Sequence, residues 1–322
     1  MKKVIAIIVG EPNSISSEII FKSWFLKNKY KHKKFFIIGN LKLLNLQKEK
    51  LKFKIKLKEI KRNFSIKDLD SKHLPVFNVN YNQNKPFEKI SSKSNKFIFN
   101  CFEESLDFIK KKKIFGFINC PVVKETLFKD NYQGITEYLS NKTSKTDNPV
   151  MLIYNKDLSV SPLTTHIPIS SVNSQINQKK IIEKIILIDK FFKIFLNKKP
   201  KIALLGLNPH NFYAKNNYKE KKIINNAVIK IKKKGINIIG PISPDTSFMV
   251  AKEYKFDVII GMYHDQVLTP FKAVYGFKAI NITLGLPYIR ISPDHGVAEN
   301  ITGKGVASPL SLIESIKFFN YL

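Results

Sequence analysis

Arginine is nearly absent from this chain: among 55 basic residues, only Arg62 and Arg290 carry a guanidinium. A nucleic-acid interface built on planar forks to bases and phosphates has little to draw on. All other basic residues are lysines, spread from Lys2 to Lys317, and with 25 acidic residues they leave a net charge of +30. Dispersed in this way, they read as a solvated surface with a general attraction for anionic substrates. Lys, Ile, Asn and Phe are all frequent, as A/T-rich codons would produce. Cysteine is scarce too. Cys101 and Cys120 give neither a disulfide framework nor a metal spacing, which suits a reduced, cytoplasmic protein. No apolar run approaches the ~18 residues of a membrane span. Residues 181–196 come nearest, but Glu183, Lys184, Asp189, Lys190 and Lys193 interrupt them with the spacing of an amphipathic helix. The apolar residues 4–9 after Met1-Lys2-Lys3 are followed by Gly10-Glu11-Pro12. That reads as a buried first strand, not a signal peptide with a small-residue cleavage site. No Gly-x-Gly-x-x-Gly follows a strand, so a Rossmann fingerprint is missing.

What is present is a regular alternation of short apolar runs and helical patterns. It predicts a mainly parallel α/β fold, and 322 residues exceed what one core usually holds, so two domains are expected. Expected strands lie at 4–9, 35–38, 74–79, 114–120, 150–154, 158–163, 201–207, 236–239, 258–262 and 279–284. Expected helices lie at 16–27, 102–112, 178–197, 217–234 and 308–319, with a short one after Gly134. Residues 42–63 read as lysine-rich surface helix and loop, and 80–96 as polar loop. Asp245, in Pro244-Asp245-Thr246, is placed to cap a further helix.

Chemistry gathers at the strand ends, where ligands collect in open α/β sheets. His166, His210 and His264 each stand just after a predicted strand. Three neutral imidazoles with an open position suit a catalytic divalent metal, although separations of 44 and 54 residues carry no local signature. The densest stretch is 257–305. It holds Tyr263-His264-Asp265-Gln266, a second apolar run ending at Gly285-Leu286-Pro287, then Arg290, Asp294-His295-Gly296 and Gly303-Lys304-Gly305. His295 precedes glycines that allow close backbone approach to a phosphate-bearing ligand.

At these residues the chain resembles the 4-hydroxythreonine-4-phosphate dehydrogenase family of the vitamin B6 pathway. The match runs through Thr164-Thr165-His166-Ile167-Pro168, Gly206-Leu207-Asn208-Pro209-His210, Pro244-Asp245-Thr246, Tyr263-His264-Asp265-Gln266, residues 281–287, Ile289-Arg290 and Asp294-His295-Gly296. The resemblance implies a fold like isocitrate and isopropylmalate dehydrogenases: two α/β domains with a cleft, residues 1–128 with 280–322 and residues 129–279. It implies a homodimer with shared active sites and no nucleic-acid or membrane partner. It implies His166, His210 and His264 as ligands of a divalent metal (zinc, magnesium or cobalt). Thr136, Lys272, Asn281 and Arg290 would bind a small phosphorylated substrate, and Asp294, His295, Gly296 and Gly303 would face NAD. Asp245, Asp265 and Lys272 are the candidates for proton transfer or for orienting the histidines.

The N-terminal half departs from the family pattern. A Gly-Asp-Pro-Ala-Gly-Ile-Gly-Pro-Glu type turn is replaced by Gly10-Glu11-Pro12-Asn13-Ser14-Ile15-Ser16-Ser17-Glu18. Ile135 stands where the family's Gly-His-Thr-Glu has histidine. Residues 211–215, Asn-Phe-Tyr-Ala-Lys, replace a glycine-rich loop. The expected reaction is NAD-dependent oxidation of 4-phosphohydroxy-L-threonine followed by decarboxylation to 3-amino-2-oxopropyl phosphate. Alternatives are a relative acting on another phosphorylated hydroxy acid such as 4-phosphothreonate, a weakened paralogue, or a lysine-rich nucleic-acid binder on an enzyme scaffold.

Overall fold

The computed structural model describes residues 4–30, 34–70, 72–128, 132, 134–143, 149–209 and 219–322. The chain divides into two compact units, Met1–Lys145 with Leu286–Leu322, and Thr146–Gly285. The first begins with β1 (Ile5–Ile8), α1 (Ser16–Phe25), β2 (Phe35–Gly39), α2 (Leu41–Lys50), β3 (Leu57–Ile60) and β4 (Leu74–Asn78). It continues with α3 (Asn95–Lys110), β5 (Gly116–Asn119), α4 (Lys124–Phe128) and α5 (Ile135–Thr143). The second unit holds β6 (Val150–Tyr154), β7 (Ser159–Thr164), α6 (Val172–Gln175), α7 (Gln178–Phe195), β8 (Ile202–Leu205) and α8 (Lys219–Lys233). It ends with β9 (Ile238–Ile242), β10 (Val258–Tyr263), α9 (His264–Tyr275) and β11 (Ile280–Leu284). The chain then gives the first unit β12 (Ile289–Pro293) and α10 (Leu310–Phe318). Among the described residues, no helix is long and apolar enough to cross a membrane.

In the first unit the strands run parallel in the order β3-β4-β2-β1-β5-β12. Every residue of β1 and β2 is buried, so both read as unbroken apolar runs. β3 is the exception. It carries Lys58 and Glu59 exposed because it is an edge strand, with β4 on one side, and that is why its sequence reads as surface loop. α3 buries Phe97, Ile98, Cys101, Phe102, Ser105 and Phe108, one face at helical spacing. Phe108 meets Phe36 and Phe77 edge-on, with centroids 5.5 and 5.0 Å apart. Each such buried ring contributes about 1.5–3 kcal/mol by transfer from water alone. Asn40 starts α2 by accepting from Leu43 N–H at 2.9 Å.

In the second unit β7, β10, β8 and β9 run parallel, with β6 and β11 added antiparallel in the order β11-β6-β7-β10-β8-β9. A boundary at 279 would set β11 with the terminal segments; its register on β6, from Ile280–Tyr154 to Leu284–Val150, keeps it here. The core joins Val160, Ala203, Leu205 and Ile259 of the sheet to Val267, Leu268 and Phe271 of α9. Residues 244–255 are a succession of turns, with Val250 N–H reaching Thr246 and Tyr254 N–H reaching Val250, instead of the regular helix expected after Asp245.

Candidate active site

In the second unit the site begins at the exits of β7 and β10. These strands are neighbours, with Thr164 opposite Tyr263. Thr164 Oγ1 donates to the Met262 carbonyl at 2.8 Å and locks the two exits together. His166 follows in the left-handed region, at φ 49°, a conformation that non-glycine residues adopt at a cost and that concentrates at functional sites. His264 is the first residue of α9. Gly261 lets that helix fold back over β10, since a Cβ there would lie 2.6 Å from Val267 Cγ1. Gln266 fixes the turn: its Oε1 accepts from Met262 N–H at 2.7 Å, and its Nε2 donates at 2.9 Å to Gly206, just past β8.

This scaffold brings the imidazoles of His166 and His264 to a centroid separation of 5.9 Å, tilted by 39°. With metal–nitrogen bonds of about 2.1 Å, two imidazoles sharing a cation have centroids roughly 5–6 Å apart. His264 Nδ1 lies 2.7 Å from Asp265 Oδ1, so the carboxylate selects the tautomer that leaves Nε2 as the ligating nitrogen. The donor set therefore fits a divalent cation. His210 and residues 211–215 lie outside the described residues, and among the described residues no cluster of three metal-ligating side chains forms.

The other residues singled out in this unit are more scattered. Lys272 is exposed in the last turn of α9, roughly 12 Å along the axis from His264 at 1.5 Å per residue. Asn281 sits on β11, and its Oδ1 is buried with no hydrogen-bond partner among the described residues, an acceptor that a ligand could satisfy. Asp245 is exposed, and its Oδ1 accepts from Thr246 N–H at 3.0 Å.

In the first unit Arg290 lies on β12, only 4% exposed. Its neighbour in the sheet is Phe117 of β5, and Asn119 at the end of β5 accepts from Arg290 Nε at 2.7 Å. Burial pushes the guanidinium down to about 10, opposed by Tyr288 and Glu137. Thr136 lies half-buried in the first turn of α5, next to Glu137. Ile135 is buried, 6% exposed, and offers no polar group.

The loop after β12 is tied down at several points. Asp294 N–H donates to Ser311 Oγ at 2.8 Å, and Ile15 N–H donates to Val297 O at 3.2 Å. His295 Nδ1 lies 3.1 Å from the Gly296 carbonyl, and Gly296 is exposed with open space where a Cβ would be. Gly303, at φ 73°, packs against Phe87, whose ring a Cβ would approach to 2.9 Å.

Two residues that sequence reasoning passed over do most of this fastening. Glu18 is fully buried; its Oε1 accepts from Ala307 N–H at 2.6 Å and its Oε2 from Gly305 N–H at 3.2 Å. Lys22, one turn on, donates to Glu18, Gly305 O and Ala307 O at 2.8, 2.8 and 2.7 Å. The signal was an i,i+4 Glu–Lys pair on α1, which on a surface helix means little. Glu18→Gln keeps the size but loses the charge and one acceptor. The expected cost is about 2 kcal/mol, a thermal midpoint roughly 3 °C lower, read by calorimetry. An unchanged midpoint would show that the loop is held by other contacts.

Where the family's glycines are replaced within residues 11–18, no residue takes a positive φ; Gly10 has one. Ser14 Oγ donates to the Glu11 carbonyl at 2.6 Å, accepts from Ser16 N–H at 3.1 Å, and lies 2.8 Å from Ser16 Oγ. Ser14 and Ser16 are buried and bond to one another, while Ser17 Oγ is buried with no hydrogen-bond partner among the described residues.

A family model described as pyridoxal phosphate biosynthetic protein PdxA matches residues 31–319. A 4-hydroxythreonine-4-phosphate dehydrogenase from a Sulfurihydrogenibium species is 38% identical over 317 residues, 97% of this chain and 96% of the relative. A D-threonate 4-phosphate dehydrogenase from Salmonella typhimurium is 30% identical over 323 residues, 98% of this chain and 97% of the relative. The crystal structure of 4-hydroxythreonine-4-phosphate dehydrogenase from Klebsiella pneumoniae superposes with a TM-score of 0.85 at 28% identity, covering 99% of both chains. With the α/β fold, the paired imidazoles and a family match over most of its length, the chain belongs to the PdxA family of pyridoxal phosphate biosynthetic proteins.

Proposed function

We propose that the chain oxidises the secondary hydroxyl of 4-phosphohydroxy-L-threonine, with NAD as hydride acceptor, in pyridoxine 5'-phosphate biosynthesis. As a member of its family it is an oxidoreductase acting on a CH–OH group. The observation that carries the finer reading is the convergence of His166 and His264 at adjacent strand exits. A divalent cation bound there supplies Lewis acidity that favours loss of the hydroxyl proton. With NAD as the hydride acceptor, oxidation would give a β-keto acid, and its loss of carbon dioxide would leave 3-amino-2-oxopropyl phosphate.

The chain's own residues bind and orient. Asp265 holds His264 in one tautomer. Arg290, fixed at its Nε by Asn119, offers a planar fork to the phosphate. Thr136, Lys272 and Asn281 complete the substrate contacts, and Lys272 and Asp245 are the groups proposed to move the proton. The loop from Asp294 through Gly303 takes the cofactor. A cytoplasmic homodimer with shared sites is part of this reading.

A second substrate has support of its own. Ile135 removes the imidazole that the family places at this turn, and a D-threonate 4-phosphate dehydrogenase is among the near full-length relatives. NAD reduction should therefore be measured with 4-phosphohydroxythreonine and with 4-phosphothreonate, each with and without a chelator. The expected result is turnover of one of the two that chelation abolishes and added zinc, magnesium or cobalt restores. No turnover of either with metal present overturns the reading.

A further inference from the structure

The exits of β2 and β4 lie side by side in the first unit, with Gly39 opposite Asn78. The chain leaves them in opposite directions. α2 carries it outward past β4 to β3, and α3 carries it back past β2 and β1 to β5. Right-handed crossovers therefore set these two helices on opposite faces of the sheet. Neighbouring strands that part in this way leave a crevice at their carboxyl ends, where open α/β sheets bind nucleotides. Here the crevice is a cleft of about 1140 Å³.

Its walls are fixed. Asn40 Nδ2 donates to the Val79 carbonyl at 2.9 Å and ties the two exits together. Gln83 is buried, exchanges hydrogen bonds of 3.3 and 2.9 Å with Asn13, and donates to the Lys85 carbonyl at 2.9 Å. The segment after β4 is thus fastened from beneath. Tyr81 stacks on buried Phe97, with centroids 4.8 Å apart and planes within 24°. On this frame stand side chains with nothing to bind. Lys85, Lys93, Lys96, Glu88, Asn82 and Asn100 line the cleft, and none of these side chains has a hydrogen bond or ion pair among the described residues. Lys96 and Asn100, one turn apart, lie on the same face of α3.

We propose that this cleft binds a nucleoside monophosphate, at a site apart from the loop proposed to take NAD. Each part of that ligand has a counterpart. Tyr81, held flat on Phe97, takes the base by stacking. The free carboxamides offer donors and acceptors to the base edge. Glu88 accepts from ribose hydroxyls, as an acidic residue does in dinucleotide sites. Three lysines against one carboxylate leave positive charge for the phosphate. Among the described residues, none from 294 to 303 lines the cleft.

The test titrates adenosine 5'-monophosphate into the full chain by calorimetry. One site per chain is expected, with adenosine and inorganic phosphate each bound at least tenfold more weakly. The double variant Lys93→Glu, Lys96→Glu should weaken the monophosphate at least tenfold, and Tyr81→Ala at least fivefold. NAD affinity in these variants should stay within about threefold. A control double variant of exposed lysines in the other unit, Lys156→Glu with Lys190→Glu, should change monophosphate binding less than twofold. The lysines are exposed, so their variant stays informative if Tyr81→Ala misfolds. Four results overturn the inference. They are no binding of the monophosphate, phosphate bound as tightly as the monophosphate, an equal loss in the control, or a parallel loss of NAD affinity in the cleft variants. The titration needs no turnover, so failure of the proposed reaction leaves it intact.

Discussion

Replacing Arg290 with methionine should lower kcat/KM for the phosphorylated substrate on the order of 10²- to 10³-fold while leaving the protein folded. The two effects separate because they have different causes. A charge-assisted, two-pronged bond to phosphate in a desolvated site is worth roughly 3–5 kcal/mol when only one partner is removed, which converts to that loss in rate. Folding loses much less. The guanidinium is 4% exposed, and burial already pushes its proton affinity down to about 10, so the native state carries the cost of a buried charge. A methionine of similar length removes that cost. Against this, Asn119 Oδ1 loses its 2.7 Å donor, and a stranded acceptor costs about 1–3 kcal/mol. The two nearly cancel, so the thermal midpoint should move by only a few degrees. Arg290→Lys should recover part of the affinity but not the geometry, because an ammonium cannot serve Asn119 and a phosphate in one plane. Steady-state kinetics beside thermal unfolding reads both quantities. A variant within tenfold of the original kcat/KM would remove Arg290 from the substrate site.

The same residue shows where the sequence was legible and where it was not. Three strands that lie inside their sheets, β1, β2 and β10, were visible as apolar runs because both of their faces are covered. β12 was not, because Arg290 interrupts its pattern, and only its pairing with β5 makes it a strand. β3 was hidden by Lys58 and Glu59, the charged side chains of an edge. α9 was hidden by Pro270 inside it, which reads as a helix stop although the preceding turns are already formed. At the site, His166 and His264 could be found because a polar residue directly after an apolar run is conspicuous. Glu18 looked like any acid on a helix surface. Its burial, and its grip on Gly305 and Ala307, depend on contacts 287 and 289 residues away that local pattern does not encode.

His264→Ala should abolish NAD reduction, with a loss of at least about 10³-fold, and should leave the unfolding midpoint almost unchanged. The second half of the expectation comes from exposure. The His264 side chain is 38% accessible and its partner Asp265 is 78% accessible, so their contact is a solvent-exposed hydrogen bond that contributes little to folding. α9 does not depend on it, since Val267, Leu268 and Phe271 anchor the helix in the core and Gln266 fixes its first turn. The first half comes from the pairing with His166. If both imidazoles hold one cation, removing either leaves too few ligands to retain it, and metal content measured on the purified variant should fall with the rate. Asp265→Asn offers a graded companion. It keeps the ring but alters what Nδ1 meets at 2.7 Å, and changes of that kind typically cost 10- to 100-fold in metal affinity. Added metal should therefore rescue Asp265→Asn and fail to rescue His264→Ala. Activity near the original rate in His264→Ala would refute the metal assignment for both histidines, because a cation shared by the two imidazoles could not survive the loss of one of them.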